Sequence, residues 1–329
     1  MKKIWGIVGT LFLIFETANA LPADFFISFK KTDGYTYEQL GEYLFSSYDN
    51  NLKVSYLEWQ HPAFYTLGFT GEAGWKDIHL KGNFNYLFPL GTGYMHDLDW
   101  AYDLQTNFAY FDNYGSQNFN WNVELSYDFK IKKFLSVAPV AQFEYAFDSF
   151  SAENGYGYFG NQDYSKNGTN VAWDSEYAMQ AKCSDITYAR SANYIFLGAN
   201  AKFYLKNLTL NLQALITPYS YVVSRDYHSD ANDTGYDYTM IAFTNCFFNV
   251  FKIGFSASYQ LENNVHLYAA FLTLFSPEIH GKLVTNYLYK RTVVSTGIWE
   301  NPTEYLLSSQ PSGISIFRMN VNLGIEFRF

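Results

Sequence analysis

The chain has 329 residues, 48% of them hydrophobic, and a mean hydropathy of only -0.17, which excludes a bundle of transmembrane helices because each would need about 20 consecutive apolar residues. A charged fraction of 16% excludes a disordered or coiled-coil protein, and a formal net charge of -9 argues against a nucleic-acid-binding surface. Aromatic residues make up 21% of the chain, a composition that favours a β-barrel in a membrane.

The first twenty residues have the three parts of a secretory signal peptide. Two lysines open the segment, an apolar run follows, and Ala18-Asn19-Ala20 forms a small-residue cleavage site. The apolar run is too short to span a hydrocarbon core of about 30 Å. We therefore expect residues 1–20 to be removed and residues 21–329 to form a single exported domain. Loss of two lysines and one glutamate changes the formal charge from -9 to -10.

Alternation of apolar and polar residues predicts β-strands along the rest of the chain. In residues 78–88 the even positions are mostly apolar and the odd positions mostly polar, and the same period recurs in residues 208–216 and 253–261. The clearest example is residues 317–329, where apolar residues occupy every second position up to Phe329. A strand of about 9–11 residues with one lipid-facing side and one polar interior side accounts for this pattern.

The predicted connections between strands are of two lengths. Short ones lie near residues 73–76, 131–134, 206–207 and 262–264, and longer polar ones lie near residues 46–51, 97–117, 152–185, 224–235 and 290–310. Short periplasmic turns and long extracellular loops are typical of outer-membrane barrels. The sequence therefore predicts an all-β fold, a ten-stranded antiparallel transmembrane β-barrel with both termini on the periplasmic side.

Two short acidic motifs are candidates for chemistry. Asp97 and Asp99 share the parity of the interior-facing odd positions of residues 78–90, so both are expected to point inward. Asp226 and His228 are two residues apart, about 7 Å between Cα atoms in a strand, which lets the carboxylate orient the imidazole. An unbroken count from residues 208–216 would turn this second pair outward, so inward orientation requires a bulge or bend near Pro218 that resets the register. Taken singly, the motifs are also compatible with a solvated acidic surface and a surface histidine.

Together these motifs resemble those of the omptins, ten-stranded outer-membrane endopeptidases with a site in the outward mouth of the barrel. Met95, Asp97, Asp99 and Trp100 match the family's Met-x-Asp-x-Asp-Trp, and Asp226 with His228 matches its Asp-x-His. The resemblance extends to residues 42–59 and to the segment ANYIFLGANAKFYLKN, and the order of loops and turns matches from about residue 25 onward.

The resemblance implies an aspartic-type endopeptidase that hydrolyses extracellular peptides or proteins. His228, oriented by Asp226, would be the general base that activates a water molecule, and Asp97 with Asp99 would hold that water and stabilise the tetrahedral intermediate. Two carboxylates so close together cannot both ionise freely, so one of the pair Asp97 and Asp99 is expected to have a raised pKa. Neither a covalent intermediate nor a metal or other cofactor is required.

The sequence departs from the omptin pattern at the substrate pocket and at the lipid site. Glu42 matches one of two acidic residues that shape the family's pocket for a basic side chain, but Ser224 stands at the other. We therefore expect a weakened preference for Arg or Lys, although the acidic net charge still favours basic substrates. The family's lipopolysaccharide-binding Tyr-x-Glu-x-Arg is matched only at Glu144, which leaves a requirement for lipopolysaccharide open.

Two other functions compete with proteolysis. One is a non-catalytic barrel that acts as an adhesin or invasin through its loops, and the other is a small porin, although ten strands leave an interior mostly filled by side chains. The expected partners are peptide or protein substrates and outer-membrane lipid or lipopolysaccharide, with no nucleic acid, and the expected state is a monomer. Cys183 and Cys246 differ in expected depth, which argues against a disulfide between them.

Overall fold

A computed structural model describes residues 23–41, 53–228, 236–246, 250–289 and 303–328. All regular secondary structure in these ranges is β-strand. The strands are Ala23–Gly41 (β1), Lys53–Gln60 (β2), Ala63–Trp75 (β3), Ile78–Leu90 (β4), Gly93–Ala101 (β5), Leu104–Tyr127 (β6), Phe129–Lys132 (β7), Leu135–Phe159 (β8), Met179–Lys182 (β9), Ile186–Leu205 (β10), Leu208–His228 (β11), Tyr236–Cys246 (β12), Phe251–Glu262 (β13), Val265–Tyr289 (β14) and Thr303–Arg328 (β15).

All strand pairs are antiparallel and belong to one sheet that closes on itself. Apart from β15, which pairs with β1, each strand pairs with strands one to three places away in chain order, and β6 pairs with β8, so the pairings form a ring. In several positions two consecutive strands share one place in the ring: β12 and β13 both lie beside β11, at its two ends. Closure leaves no long unpaired edge among these strands, which removes the aggregation hazard of an open sheet.

The sheet has an apolar outer face and a polar interior, as the alternation predicts. In β15, Val321 and Leu323 are exposed, whereas Asn320 is buried and Asn322 lines an interior cavity. In β4, Phe84 is exposed on the outer face and the neighbouring Asn83 and Asn85 line the same cavity. The interior amides hydrogen-bond to amides on the next strand, because polar groups inside the sheet need partners.

Four short turns lie at one end of the closed sheet, which we call the short-turn end. They follow β3, β7, β10 and β13, where short connections were predicted. Lys76 and Lys206 each begin a two-residue turn with a left-handed φ, of 57° and 48°. Such a turn matches the right-handed twist of the paired strands, at a conformational cost that Gly or Asn would avoid. The opposite end of the sheet is called the loop end.

The prediction of a long loop over residues 97–117, at the loop end, is wrong. The chain instead forms a hairpin of β5 and β6 that turns at Tyr102 and Asp103. It is a strand because Ala109 and Phe111, on alternate residues, are buried against the interior while Tyr110 is exposed. The predicted loop over residues 152–185 is likewise shorter, since β8 continues to Phe159.

Among the described residues, no helix has the length and apolar character needed to cross a membrane.

Candidate functional site

The acidic motif of β5 lies on the inner wall near the loop end. Asp97 is directly opposite Leu57 of β2 and Ala109 of β6, and both of these neighbours are buried. Directly opposite residues of an antiparallel pair share one face of the sheet, so Asp97 belongs to the inner face, as parity predicts. Asp99 is opposite Asn107, whose side-chain Nδ2 donates a hydrogen bond to Asp99 Oδ2 at 3.0 Å.

The second motif reaches the inner face because β11 contains a bulge. Ile195 of β10 is opposite Tyr219 and Leu197 is opposite Ile216, so Thr217 and Pro218 together face a single residue. Before the bulge the buried side chains of β11 are at odd-numbered positions, and after it they are at even-numbered positions. The extra residue turns Asp226 inward: it is 2% exposed and lies opposite the buried Tyr188.

A layer of stacked aromatic rings joins the two walls that carry Asp97 and Asp226. Trp59, which is opposite Met95 of β5, stacks on Tyr188, which is opposite Asp226, with 4.9 Å between ring centroids. Phe150 stacks on both rings and on His61, 5.1 Å away. These rings are fully or almost fully buried, so they form an apolar floor that joins the wall of β5 to the wall of β11.

Directly beneath this floor lies a buried ion cluster that the sequence analysis missed. Arg190 of β10 and Arg318 of β15 both donate hydrogen bonds to Asp148 Oδ2 of β8, the second at 2.7 Å. A shared carboxylate compensates the cost of burying guanidinium groups in a low-dielectric interior. The only sequence signal is that Asp148 continues the inward period of Gln142 and Glu144 on an otherwise aromatic strand.

Toward the short-turn end, the interior contains a second ion pair and a polar cavity. Lys252 of β13 donates hydrogen bonds to Glu144 and, at 3.3 Å, to Gln142. Below this pair, a cavity of about 650 Å³ is lined mostly by Asn, Gln, Lys and Glu side chains. Glu144 therefore points inward and is buried, so the partial match to a lipid-binding motif at this residue does not present a carboxylate to the outer face.

Ser224 lies on the inner wall but in surroundings unlike an acidic pocket. It is 2% exposed and directly opposite Arg190, the guanidinium of the buried ion cluster. A carboxylate at this position would face a positive charge, whereas the serine hydroxyl adds none. The other predicted pocket residue, Glu42, lies outside the described residues.

His228 has only its backbone described, at the end of β11 opposite Ile186 and Tyr238. Its predicted sharing of a face with Asp226 stays a prediction. In the described ranges, no group of three or more His, Cys, Asp or Glu side chains could hold a metal ion.

Cys183 lies beside the acidic motif of β5, which sequence reasoning did not foresee. The residue follows β9, its backbone N–H donates to Gly155 O at 2.9 Å, and its thiol packs against the aromatic and aliphatic cluster under Asp97. Burial, assisted by the negative charge of Asp97, raises the pKa of the Cys183 thiol to about 12. The thiol is free and stays protonated at neutral pH.

No protein-family model and no curated protein matches the chain. Among solved structures, the fold is similar to that of the outer membrane protease OmpT from Escherichia coli, with a TM-score of 0.73 and 15% identity over 94% of this chain and 97% of that one. The translocator domain of autotransporter NalP from Neisseria meningitidis has a TM-score of 0.34 and 10% identity, over 100% and 96% of the two chains. The toluene transporter TodX from P. putida has a TM-score of 0.27 and 7% identity, over 96% and 92%. The likeness to OmpT is one of fold.

Proposed function

We propose that this chain is an omptin-like endopeptidase of the bacterial outer membrane that hydrolyses extracellular peptides or proteins. One observation carries the proposal: Asp97 and Asp226, far apart in sequence, lie on inner-wall strands that meet over one aromatic floor. A purely structural barrel does not need an acidic pair on one wall and an Asp-x-His on the other. The similarity of fold to a protease supports the same reading.

Membrane insertion accounts for the outer face of the sheet. Exposed Leu, Ile, Val, Phe and Tyr side chains alternate with interior polar ones on β3, β4, β6, β10, β13, β14 and β15. In water such a continuous apolar surface would drive association, whereas a bilayer buries it. If β2 and β3, β4 and β5, β6 and β7, β9 and β10, and β12 and β13 each count as one interrupted strand, the ring of pairings has ten members. The loop end would then face the cell exterior.

In the proposed mechanism water is the nucleophile. His228, oriented by Asp226, removes a proton from a water molecule held by Asp97 and Asp99, and the resulting hydroxide attacks the peptide carbonyl carbon. The Asp pair stabilises the tetrahedral intermediate, and the proton on His228 passes to the leaving amine as the C–N bond breaks. The buried floor of Trp59 and Tyr188 keeps the walls at a fixed spacing, which a water-activating site requires.

Specificity for a basic side chain is expected to be weaker than the omptin resemblance alone implies. Ser224 supplies no negative charge, and Arg190 lies directly across the strand pair from it. A lysine or arginine of the substrate that approaches Ser224 would find no carboxylate there and would face the net positive charge of the cluster of Arg190, Arg318 and Asp148. Of the two predicted pocket positions, only Glu42 would then favour a basic side chain.

The decisive experiment is cleavage of a peptide library by refolded protein, with and without lipopolysaccharide, beside His228→Ala, Asp97→Asn and Asp226→Asn. Asp103→Asn is the matched control, because Asp103 is an exposed carboxylate at the tip of the β5–β6 hairpin. Loss of the general base should slow cleavage by at least about a hundredfold, and the control should cleave at the wild-type rate. Equal inertness of wild type and His228→Ala, in barrels whose folding is verified by heat-modifiable electrophoretic mobility, would refute the protease.

An adhesin or invasin is the second candidate, favoured by a different observation. Tyr102, Tyr110, Tyr164 and Tyr177 are all exposed at the loop end, with Tyr102 73% exposed at the hairpin tip. Exposed tyrosines are common anchors of protein interfaces. An adhesin would bind host or bacterial surfaces equally well after His228→Ala. A porin is disfavoured by the ion cluster and aromatic floor across the interior, and single-channel conductance in a planar bilayer tests it.

A further inference from the structure

Lysines are concentrated at the short-turn end of the closed sheet. The turn between β3 and β4 contains Lys76, the segment between β6 and β8 contains Lys130, Lys132 and Lys133, and the turn between β10 and β11 contains Lys206. We call these five residues the basic rim. All five are exposed. Their concentration runs against the net charge of the chain, which is -9.

The three segments are neighbours in the ring and are tied together. β4 pairs with β6 and β8 pairs with β10, so the three connections are consecutive along the rim. The backbone N–H of Asp128 donates to Asp77 O at 2.8 Å, and that of Tyr204 donates to Phe134 O at 2.9 Å. Asp77 also accepts a hydrogen bond from Lys130, 3.0 Å away. These bonds make the lysines one continuous, ordered arc.

The rest of this end differs. The described turn between β13 and β14 contains Glu262, Asn263 and Asn264 and no lysine. Among the described short turns, the lysines are therefore confined to one side of the ring, which a general requirement for soluble turns would not produce. Lys76 and Lys206 moreover occupy left-handed backbone positions that Gly or Asn would adopt at lower cost.

Exposed aromatic side chains lie at the same level as the lysines. Trp75 is 67% exposed, and Lys76 Nζ lies 4.7 Å from the centre of its ring. Lys132 Nζ lies 5.8 Å from the ring of Phe134, and Phe129 and Tyr204 are exposed nearby. Aromatic rings and lysines side by side at the edge of an apolar wall are what the headgroup layer of a bilayer accommodates.

We propose that the basic rim binds the anionic headgroups of phospholipids in the leaflet that surrounds the short-turn end. The lysine ammonium groups contact the phosphates, and the aromatic rings fix the depth of the wall in the headgroup layer. The binding side is the arc from β3 to β11, and the side of β13 and β14 has no preference. This proposal rests on the bilayer placement and not on catalysis, so an inert site would leave it intact.

Quenching of Trp75 fluorescence by brominated phospholipids tests the proposal. The full-length protein is reconstituted in bilayers containing brominated phosphatidylglycerol or brominated phosphatidylcholine, and the Trp75 signal is obtained by difference from Trp75→Phe. We expect phosphatidylglycerol to be favoured about fivefold or more at 50 mM salt, and the preference to approach unity at 0.5 M salt because the contacts are screened.

Two matched double variants locate the effect. Lys132→Gln with Lys133→Gln removes two charges from the rim, whereas Lys166→Gln with Lys182→Gln removes two exposed charges beyond the loop end. The first pair should reduce the preference by several-fold and the second should leave it unchanged. Replacement of the rim lysines by arginine should retain it. Equal quenching by the two lipids at low salt, or a preference that survives loss of the rim charges, would overturn the proposal.

Discussion

The raised pKa of Cys183 gives a direct test of the surroundings of Asp97. At pH 8 a thiol with a pKa of about 12 is ionised to about one part in ten thousand, whereas a thiol with the ordinary pKa of 9.0 is about one-tenth ionised. The higher pKa makes each thiolate more nucleophilic, which recovers a factor of about 16 to 32. Reaction of Cys183 with a pyridyl disulfide should therefore be about 30 to 60 times slower in the folded protein than in urea.

The experiment uses a Cys246→Ser background, so that Cys183 is the sole thiol. The logarithm of the rate should rise linearly with pH to beyond pH 10, because the thiol is still mostly protonated there. Asp97→Asn removes a charge that disfavours the thiolate and should accelerate the reaction, although burial remains the larger cause. Asp163→Asn, an exposed loop carboxylate, should have no effect. A plateau near pH 9, or equal rates for Asp97→Asn and the control, would refute the described contact between Cys183 and the acidic motif.

Three further predictions concern residues that pack beside the site or below it. Asp148→Asn leaves the guanidiniums of Arg190 and Arg318 without their shared carboxylate and should lower the free energy of unfolding by about 3–5 kcal/mol in urea titrations, an effect that Asp163→Asn should lack. Gly155→Ala would push a methyl group into the ring of Phe111 and to 2.8 Å from the Cβ of Cys183, so cleavage and thermal stability should both fall, whereas Gly71→Ala meets nothing within 4 Å and should be neutral. Wild-type protein should give no stable single-channel current, because the Lys252–Glu144 pair and the aromatic floor cross the interior.

Sequence periodicity predicts those parts of the fold in which the polarity of each residue indicates which face of the sheet it occupies. Val321 and Asn322 can be assigned to opposite faces because β15 runs without interruption and the apolar and polar residues alternate strictly. The short turns are predicted from equally local sequence, since the polar pair Lys206 and Asn207 interrupts the alternation of apolar and polar residues. The hairpin of β5 and β6 was not predicted, because polar residues such as Asn107 and Asn113 on its inner face resemble a loop, and only packing shows that Phe111 is buried between them.

The inward orientation of Asp226 shows what periodicity can and cannot supply. A count along β11 predicts that a bulge is needed, and proline marks where the ladder can be interrupted. Whether the bulge forms is decided by the neighbouring strand: the pairing of Ile195 with Tyr219 holds the upper half in register and that of Leu197 with Ile216 holds the lower half. The requirement is thus visible in the sequence, and the pairing that satisfies it is not.

The ion cluster lies beyond any local reading, because its members are separated by 42 and 170 residues and come from three strands. Its position has a consequence for the site above it. Tyr188, which lies opposite Asp226, and Arg190, which lies opposite Ser224, are two residues apart on β10, so one strand carries both the aromatic floor and the charge beneath it. A change in the ion cluster should therefore reach the carboxylate of Asp226 through the backbone of β10. Arg190, which helps to hold this wall in place through the ion cluster, is also the residue that puts a positive charge opposite Ser224.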